Sequence, residues 1–573
     1  MFFPLKHKKF LISGAVAAVV IAVIVIVTVI LLNSSDSKDR LGAIVTNGEQ
    51  CSDIGKSIIY RGGNAVDAAI ASLFCEGVAM AQSCGLGGGF IMTIFQKESG
   101  KIYTLNSREV APAAATADMY HSDSQLSKTG ILAVAVPGEL RGYWRAYQRF
   151  GGGIPWRELV EPTIKLCREG IHVTKYLAGA FAKNRDKLYA DPNLRASYID
   201  PSTNNTYIAG QYIKRPILAD TLEIIAKEGG DALHAGSLTD QFVADIKKLN
   251  GIITKEDMNN YEPVWEDPIK ISLPHGHTLY APRLPSSGAL VAYIMNMLQL
   301  KIDVSQPMSL VNVQRLIESF KFAYGMRTRL GDTRTPAMNK FVDELTTMEK
   351  ANLTIQKMKD NETSQDPEYY GALMSNADNH GTAHISILAP NGDAVSVTST
   401  INYYFGSGVS TEHTDIILND EMDDFSSPGI ISVFNIPPSI DNYIEPGKHP
   451  LSSMCPTIIL DENNDVKLVI GAAGGTLITT VVADTIVRHL WYNMTIEDSI
   501  DACRLHHQLF PMSVQVEECF KDDVEMIDFL TKIGHVIQWN PSDGFSAITA
   551  ISTQNGISAK FDRRRPGDIS YVF

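Results

Sequence analysis

Cysteine is scarce in this chain, and basic residues are outnumbered by acidic ones. There are seven cysteines in 573 residues, and the formal net charge is −14 at pH 7. Seven cysteines are too few for the dense disulfide scaffold of a small secreted domain. In an oxidising compartment they allow one or two disulfides with at least one thiol left over. A net negative chain repels nucleic acid, so no nucleic-acid partner is expected.

Internal repeats and the common phosphate-binding glycine motifs are also missing. A glycine cluster at 85–89 matches neither the Rossmann nor the P-loop spacing. It predicts tight packing between a preceding helix, capped by Asn64, and the apolar strand at 91–95. The dense basic run at 563–565 is interpreted as a solvated surface. With 45% hydrophobic and 20% charged residues, the composition is that of a globular protein with several domains or one large layered unit.

One long apolar run is present near the N-terminus. Residues 10–32 carry no charged side chain, and at about 1.5 Å per residue they would cross a bilayer as a helix. Lysines dominate the segment before this run, whereas acidic residues offset the basic ones after it. This bias predicts a single-pass type II anchor, with residues 1–9 in the cytoplasm, a linker at 33–40 and the remaining chain outside the plasma membrane.

Five N-x-S/T sequons are compatible with an exported chain. The sequon at Asn33 lies too close to the predicted anchor for modification to be expected. The other four are predicted glycosylation sites, at Asn204, Asn352, Asn361 and Asn493.

The middle of the chain predicts helices and the last third predicts strands. Residues 137–370 are expected to be mainly helical, and the polar stretch 350–370 to be an exposed loop. A hairpin is predicted at 457–470. The segment 471–475 is predicted to open an apolar helix, and Thr495 to cap the next helix.

A hydroxyl follows a glycine at the start of another predicted hairpin. Residues 383–388 alternate in period two, with one impure face, and 394–400 return as the partner strand after a type I′ turn at Asn391-Gly392. A threonine in such a place usually reflects only β-propensity. If the chain were cut between Gly381 and Thr382, however, the new α-amine would titrate near neutral pH and could act as a base for the hydroxyl.

Groups that would serve such a nucleophile lie elsewhere in the sequence. Gly474 and Gly475, at a predicted strand-to-helix turn, could direct two backbone N–H groups at an oxyanion. The acidic run 420–424 would suit an ammonium group, and Arg108 a carboxylate. Taken one at a time, a tight turn and surface ion pairs are the commoner interpretations of these residues.

Six segments, in this order, resemble the γ-glutamyltransferase (γ-glutamyl transpeptidase) family of N-terminal-nucleophile hydrolases over residues 41–573. They are 106–112, 381–384, 399–402, 419–428, 450–454 and 471–476. The resemblance implies an α+β fold, a four-layer αββα sandwich. It also implies that the chain cuts itself between Gly381 and Thr382, giving a large subunit, 41–381, and a small catalytic subunit, 382–573, that stay associated.

The resemblance also assigns the catalytic roles. Thr382 would be the nucleophile that forms a γ-glutamyl ester, with Thr400 orienting it. Gly474 and Gly475 would form the oxyanion hole. No metal ion and no organic cofactor would be needed.

Substrate binding and one disulfide are implied in the same way. The donor's α-carboxylate would be held by Arg108, Ser452 and Ser453. Its α-amine would be held by Asn402, Glu421 and Asp424. A disulfide would join Cys51 and Cys75.

The expected function is therefore that of an enzyme that cleaves the γ-glutamyl bond of glutathione and its conjugates. The glutamyl group would pass to water, an amino acid or a dipeptide. Two alternatives remain: a non-catalytic membrane-anchored paralogue, or another acylase of the same class, such as a β-lactam or glutaryl acylase. Two departures from the family pattern are visible. The second, closely spaced cysteine pair of mammalian large subunits is missing, and Tyr403 beside Asn402 is expected to alter the pocket rim.

Overall fold

Alternating and continuous apolar segments of the chain form strands, and amphipathic or Ala-rich segments form helices around them. The structure is a computed structural model that describes residues 40–121, 123–372, 381–428, 438–541 and 545–573. The predicted cytoplasmic tail, anchor and most of the linker (residues 1–39) lie outside these ranges. Within these ranges, no helix has the length and apolar character needed to cross a bilayer.

Twenty strands are described. They are β1 (Gly42–Thr46), β2 (Gly89–Gln96), β3 (Lys101–Ser107), β4 (Ile171–His172), β5 (Ile199–Asp200), β6 (Asn205–Thr206), β7 (Tyr212–Ile213), β8 (Val264–Glu266), β9 (Ile269–Ser272), β10 (Thr278–Ala281), β11 (Ala383–Leu388), β12 (Ala394–Thr400), β13 (Thr457–Leu460), β14 (Val466–Ala473), β15 (Leu505–His506), β16 (Val514–Glu517), β17 (Ile537–Asn540), β18 (Ala547–Ser552), β19 (Ser558–Phe561) and β20 (Asp568–Val572).

The α-helices lie mostly in the middle of the chain, as predicted. They are α1 (Cys51–Tyr60), α2 (Ala65–Ala79), α3 (Glu139–Phe150), α4 (Trp156–Glu169), α5 (Lys175–Lys183), α6 (Arg185–Ala190), α7 (Pro192–Tyr198), α8 (Pro216–Glu228), α9 (Ala232–Ala235), α10 (Thr239–Lys248), α11 (Lys255–Asn260), α12 (Gly288–Lys301), α13 (Leu310–Arg327), α14 (Pro336–Leu345), α15 (Met348–Ile355), α16 (Leu477–Ile486), α17 (Ile496–Asp501) and α18 (Val524–Lys532). Shorter helical turns include Pro367–Tyr370 and Glu421–Asp424.

Two large antiparallel sheets form the centre of the molecule. The first sheet has the strand order β20-β1-β11-β12-β2-β3-β8, and the second has the order β19-β18-β14-β13-β10-β9. Both predicted hairpins are present: Ala383 lies opposite Ser399 in β11–β12, and Thr457 lies opposite Ile470 in β13–β14.

Buried apolar clusters show that the two sheets stack between layers of helices. One cluster joins Ile385 and Val397 of the first sheet to α2, α3 and α4. Another joins Leu468 of the second sheet to α12, α13 and α16. A third lies between the sheets and includes Val45 and Val469. The helix–sheet–sheet–helix order of the predicted sandwich is therefore present in the described residues.

Local signals at helix ends and cysteines are confirmed. Asn64 caps α2 and forms a capping box with Asp67, and Thr495 caps α17. A disulfide joins Cys51 to Cys75, as the resemblance implied, and a second joins Cys503 to Cys519. The remaining three cysteines are free and buried.

The glycine cluster packs tightly, backbone against backbone, and tight packing was the prediction for it. A Cβ placed on Gly88 would lie 2.0 Å from the Thr400 carbonyl oxygen, and one on Gly87 would lie 1.9 Å from that of Ile417. Because no side chain fits there, Gly88 lets the chain that enters β2 lie directly against the strand that ends at Thr400, and Gly87 lets it lie against the backbone of Ile417.

Several local predictions were wrong. The β11–β12 turn is not type I′, which needs positive φ at both central residues. Here the 389–392 turn has Pro390 at its second position, and only Gly392 has positive φ (87°). Proline cannot adopt positive φ, so Pro390 shifts the turn by one residue.

Tertiary packing explains the other three errors. Residues 350–370 are not a loop throughout: α15 runs to Ile355, and Tyr370 is buried with Ala351 in the core cluster of α13. Residues 471–473 continue β14, and α16 begins only at Leu477. The arginine run is not a solvated surface, because Arg564 and Arg565 are each 8% exposed.

Candidate active site

Strand pairing brings Thr382 and Thr400 together at one end of the first sheet. The β11–β12 register, with Ala383 opposite Ser399, places Thr382 opposite Thr400. Both side chains are buried. Successive side chains in a strand alternate between faces, so these two residues share the face of His384 and Thr398, which points toward the second sheet.

The carbonyl group of Gly381 is held by the two threonine hydroxyls. Thr400 Oγ1 donates to the Gly381 carbonyl oxygen at 2.6 Å, and Thr382 Oγ1 also contacts this oxygen. The Asn402 N–H donates to Thr400 Oγ1 at 2.9 Å, which leaves the Thr400 proton directed at Gly381. The peptide bond predicted to be cut is thus polarised beside its predicted nucleophile.

Arg108 is buried in a cluster of charges at the end of β3. Its guanidinium is fully buried and pairs with Glu421 and Asp424. Its Nε donates to the Pro450 carbonyl at 3.2 Å, and Nη2 lies 3.4 Å from that of Leu451. The predicted carboxylate-binding and amine-binding residues therefore hold one another in the free chain.

Carboxylates outnumber cations in this cluster. Burial raises the pKa of Glu421 to about 7, although Arg108 acts in the opposite direction. Burial and the charge of Glu421 raise the pKa of Glu109 well above its ordinary value. The same carboxylates raise the pKa of Arg108, which stays charged. A bound ammonium group would lower the electrostatic cost of this excess negative charge.

Asn402 connects the threonine pair to the charge cluster. Its backbone is left-handed (φ 69°), and its Nδ2 donates to the Asp420 carbonyl oxygen at 3.1 Å. Its Oδ1 is buried and has no hydrogen-bond partner among the described residues. This oxygen is therefore available to accept a hydrogen bond from a ligand N–H group.

Ser452 and Ser453 follow Leu451, whose carbonyl lies beside the Arg108 guanidinium. Both are buried. Ser452 Oγ accepts from the Met454 N–H at 3.2 Å, and Ser453 Oγ accepts from Arg327 Nη2 at 3.2 Å. Each hydroxyl accepts in these contacts, so its proton is available to a ligand oxygen.

Gly474 and Gly475 lie at the end of β14, before α16. Their φ angles are 136° and 61°, and a Cβ on Gly474 would lie 2.4 Å from that of Ser546. The turn therefore requires glycine, whatever its chemical role. The oxyanion-hole assignment stays a prediction, as do the roles assigned to Thr382 and the binding residues.

Sequence reasoning missed a polar layer between the sheets. Ser386 and Ser396 Oγ donate to carbonyl oxygens of the second sheet at 3.1 and 3.0 Å, and both lie 3.3 Å from His384 Nε2. Thr398 Oγ1 lies 2.7 Å from His384 Nδ1. These contacts favour the neutral tautomer with the proton on Nε2, and burial lowers the pKa of His384 to about 3. The impure face of β11 was visible in the sequence, but its partner sheet was not.

Sequence reasoning also missed a cleft whose lining includes Arg565, a residue that contacts the Thr382 backbone. It has a volume of about 950 Å³ and is lined in part by His172, Lys175, Tyr176 and Arg565. Arg565 Nη1 lies 3.4 Å from the Thr382 carbonyl oxygen. The basic run at 563–565 was the sequence feature that could have indicated this cleft.

Comparison with known proteins identifies the family that has this sequence pattern. The sequence model of the family described as Gamma-glutamyltranspeptidase matches residues 51–572. Scoloptoxin SSD14 of Scolopendra dehaani is 41% identical over 535 residues, covering 92% of this chain and 92% of that protein. Glutathione hydrolase proenzyme 1 of Schizosaccharomyces pombe is 38% identical over 523 residues, covering 90% and 82%.

A solved structure supports the fold independently. The crystal structure of cephalosporin acylase from Bacillus halodurans is similar with a TM-score of 0.79 over 93% of this chain and 96% of that chain. At 22% sequence identity this likeness shows a shared fold only. The family match covers most of the sequence, including every segment that forms the site, and the chain therefore belongs to the gamma-glutamyltranspeptidase family.

Proposed function

We propose that this protein is a self-processing γ-glutamyltransferase and glutathione hydrolase with Thr382 as its nucleophile. The contact that carries the proposal is the pair of threonine hydroxyls on the Gly381 carbonyl oxygen. Family membership and the name of the Schizosaccharomyces pombe relative support glutathione as the substrate.

Self-cleavage would begin from the geometry of the intact chain. Thr382 Oγ1 attacks the Gly381 carbonyl carbon, the Gly381–Thr382 C–N bond breaks, and the departing amine takes the proton that the hydroxyl loses. The resulting ester is opened by water, which leaves a carboxylate on Gly381 and a free α-amine on Thr382. Thr400 stabilises the developing oxyanion by its hydrogen bond.

The γ-glutamyl transfer would reuse the same hydroxyl. The Thr382 α-amine accepts the hydroxyl proton while Oγ1 attacks the donor's γ-carbonyl, and the proton passes to the departing amine. Water or an acceptor amine then attacks the γ-glutamyl ester and releases Thr382. The cleft lined in part by Arg565 would offer room for the leaving group or acceptor.

Donor binding would proceed by exchange of ion pairs. In the free chain Arg108 pairs with Glu421 and Asp424. A donor's α-carboxylate would replace these partners on Arg108, while its α-amine would satisfy Glu421 and the free Oδ1 of Asn402. A ligand with only one of the two charges would leave a buried charge unpaired, which is costly. This requirement favours a γ-glutamyl donor over the glutaryl or β-lactam substrates of other acylases.

Location at the plasma membrane, with a type II anchor at 10–32, is part of the proposal. Asn204, Asn352, Asn361 and Asn493 are all exposed, which is compatible with glycosylation on the outer side. The two subunits would stay associated, because β11 and β12 of the small subunit lie inside the first sheet.

N-terminal sequencing of the small band from the full chain, denatured after detergent purification, tests self-cleavage. We expect it to begin at Thr382. Thr382→Ala should remain uncut, and Thr400→Val should be cut on the order of 100-fold more slowly. An uncut wild-type chain would favour the non-catalytic paralogue.

Two anilide substrates test the choice of donor. We expect the processed enzyme to hydrolyse γ-glutamyl anilide faster than glutaryl anilide, which lacks the α-amine. A preference for the glutaryl compound would favour the other acylase.

A further inference from the structure

Lys187 connects the predicted large subunit to the loop that carries Asn402. It lies on α6, and its Nζ donates to the carbonyl oxygens of Tyr404 at 3.1 Å and of Gly406 at 2.8 Å. Its stem covers Gly408, where a Cβ would lie 2.7 Å from Lys187 Cγ. These contacts fix the course of the chain two to six residues after Asn402.

A buried carboxylate lies close enough to this lysine for their charges to interact. Asp420 is fully buried; its Oδ1 accepts from the Tyr403 N–H at 2.9 Å, and its Oδ2 has no hydrogen-bond partner among the described residues. Burial raises the pKa of Asp420 well above its ordinary value, and the charge of Lys187 acts in the opposite direction. Burial lowers the pKa of Lys187, with Asp420 again opposing it. Each charge therefore favours the charged form of the other, and the Lys187 side chain is itself only partly buried.

Asp420 in turn holds Asn402. Its carbonyl oxygen accepts from Asn402 Nδ2, which leaves Asn402 Oδ1 as the free acceptor of the site. Glu421, which follows Asp420 in the chain, would supply a charged acceptor beside this neutral one. Losing the Lys187 charge would remove the positive charge that favours ionised Asp420, and losing its N–H donors would release the carbonyl groups of Tyr404 and Gly406.

We propose that Lys187 is a positioning residue that sets the recognition of the donor's α-amine, acting through Asp420 and Asn402. The inference rests on the proposed γ-glutamyl function and adds a specificity-determining residue to it. Arg108, Ser452 and Ser453 lie on other segments, so recognition of the α-carboxylate should not depend on Lys187.

Competition between two small inhibitors separates amine recognition from general damage. L-glutamate carries both the α-amine and the α-carboxylate, whereas glutarate lacks the amine. Both are measured as competitive inhibitors of γ-glutamyl anilide hydrolysis. In Lys187→Met we expect the inhibition constant of L-glutamate to rise about tenfold and that of glutarate to change less than twofold. The KM of the anilide should rise more than its kcat falls.

Matched variants complete the experiment. Lys214→Met removes an exposed lysine of the same predicted subunit and should change neither constant. Lys187→Gln keeps a hydrogen-bond donor but no charge and should behave as Lys187→Met, whereas Lys187→Arg should restore part of the selectivity.

The outcomes are distinguishable. If the wild type binds L-glutamate no better than glutarate, the proposed function fails. If the wild type is selective and Lys187→Met weakens both inhibitors equally, or neither, the role of Lys187 is overturned. Failure of both Lys187→Met and Lys187→Gln to be processed would assign the residue a general structural role and would also overturn it.

Discussion

At the scale of single residues, the free site is occupied by its own charges. Arg108 pairs with Glu421, 313 residues away, and both side chains are fully buried. Burial of two opposite charges costs desolvation that their attraction has to offset, and removing one partner is strongly destabilising. Under the proposed function, a ligand that brings one charge of each sign would replace these ion pairs.

The ionisation of Glu421 predicts a pH dependence of amine binding. With a pKa raised to about 7 in the free protein, Glu421 loses its negative charge as the pH falls below that value. The inhibition constant of L-glutamate should therefore rise as the pH falls below 7, with a limiting slope of about tenfold per pH unit. The inhibition constants of L-glutamate and glutarate, measured from pH 5 to 8, check this.

Glutarate provides the control, because it has no amine and its binding should not weaken in acid. In Glu421→Gln, L-glutamate should bind weakly at every pH. An L-glutamate profile that is flat in the wild type would contradict the assignment of Glu421 to the amine.

At the scale of elements, two neighbouring helices are tied together at the edge of the first sheet. The Cys51–Cys75 disulfide joins the start of α1 to α2, and the sequence separation is 24 residues. Ser72 on α2 also donates to the Cys51 carbonyl oxygen at 3.0 Å. The Gly-rich turn that follows α2 leads into β2, and β2 pairs with the strand that ends at Thr400.

Removing this disulfide should destabilise the protein. A bridge that closes a loop of about 25 residues stabilises by about 3 kcal/mol through the entropy of the unfolded chain. Urea denaturation of Cys51→Ser/Cys75→Ser under non-reducing conditions should show a loss of this size. Cys503→Ser/Cys519→Ser, with a separation of 16, should lose slightly less. An unchanged urea midpoint in the first variant would contradict the argument.

At the scale of the whole molecule, burial shifts histidines and carboxyl groups in opposite directions. Burial lowers the pKa of His234, His449 and His506 to about 4. It raises the pKa of Glu76 to about 7 and that of Glu139 to about 8. The folded protein thus holds neutral histidines and protonated carboxyl groups.

These shifts predict a maximum of stability near pH 6.5. Below the ordinary histidine pKa of 6.5, histidines bind protons in the unfolded chain, whereas the buried histidines of the folded protein stay neutral. The free energy of unfolding therefore decreases as the pH decreases. From pH 6.5 to 8 the buried carboxyl groups keep protons that the unfolded chain has lost, so stability falls as the pH increases. Melting temperatures of the single-chain Thr382→Ala variant from pH 5 to 9 check this.

Glu139 offers a matched control for the alkaline side. Glu139→Gln is nearly isosteric and cannot ionise, so it should flatten the loss of stability above pH 6.5. A melting temperature that increases steadily up to pH 9 would contradict the prediction.

Much of the local structure was predictable from the sequence. Period-two alternation identified β11, β12 and the β13–β14 hairpin, and Asn64 and Thr495 marked helix starts, because these signals depend on neighbours in the chain. The β11–β12 turn was predictable in place but not in type: Asn391-Gly392 indicates a type I′ turn, whereas Pro390 occupies the second position of the actual turn and excludes positive φ there. The site residues came from motif resemblance, and the structure brings Arg108, Glu421 and Asp424 into one cluster.

The sequence by itself determined the strands of both hairpins, the helix starts at Asn64 and Thr495 and which residues could carry the chemistry, because those properties follow from local backbone and side-chain preferences. Only the tertiary structure decided what each face meets. Alternation shows that His384 and Ser386 share a side of β11, but not that this side faces a second sheet instead of water. The same holds for the buried Arg565 and for Lys187, whose carbonyl partners lie 217 and 219 residues away. Contacts over such separations depend on how the layers pack, and no local pattern encodes that packing.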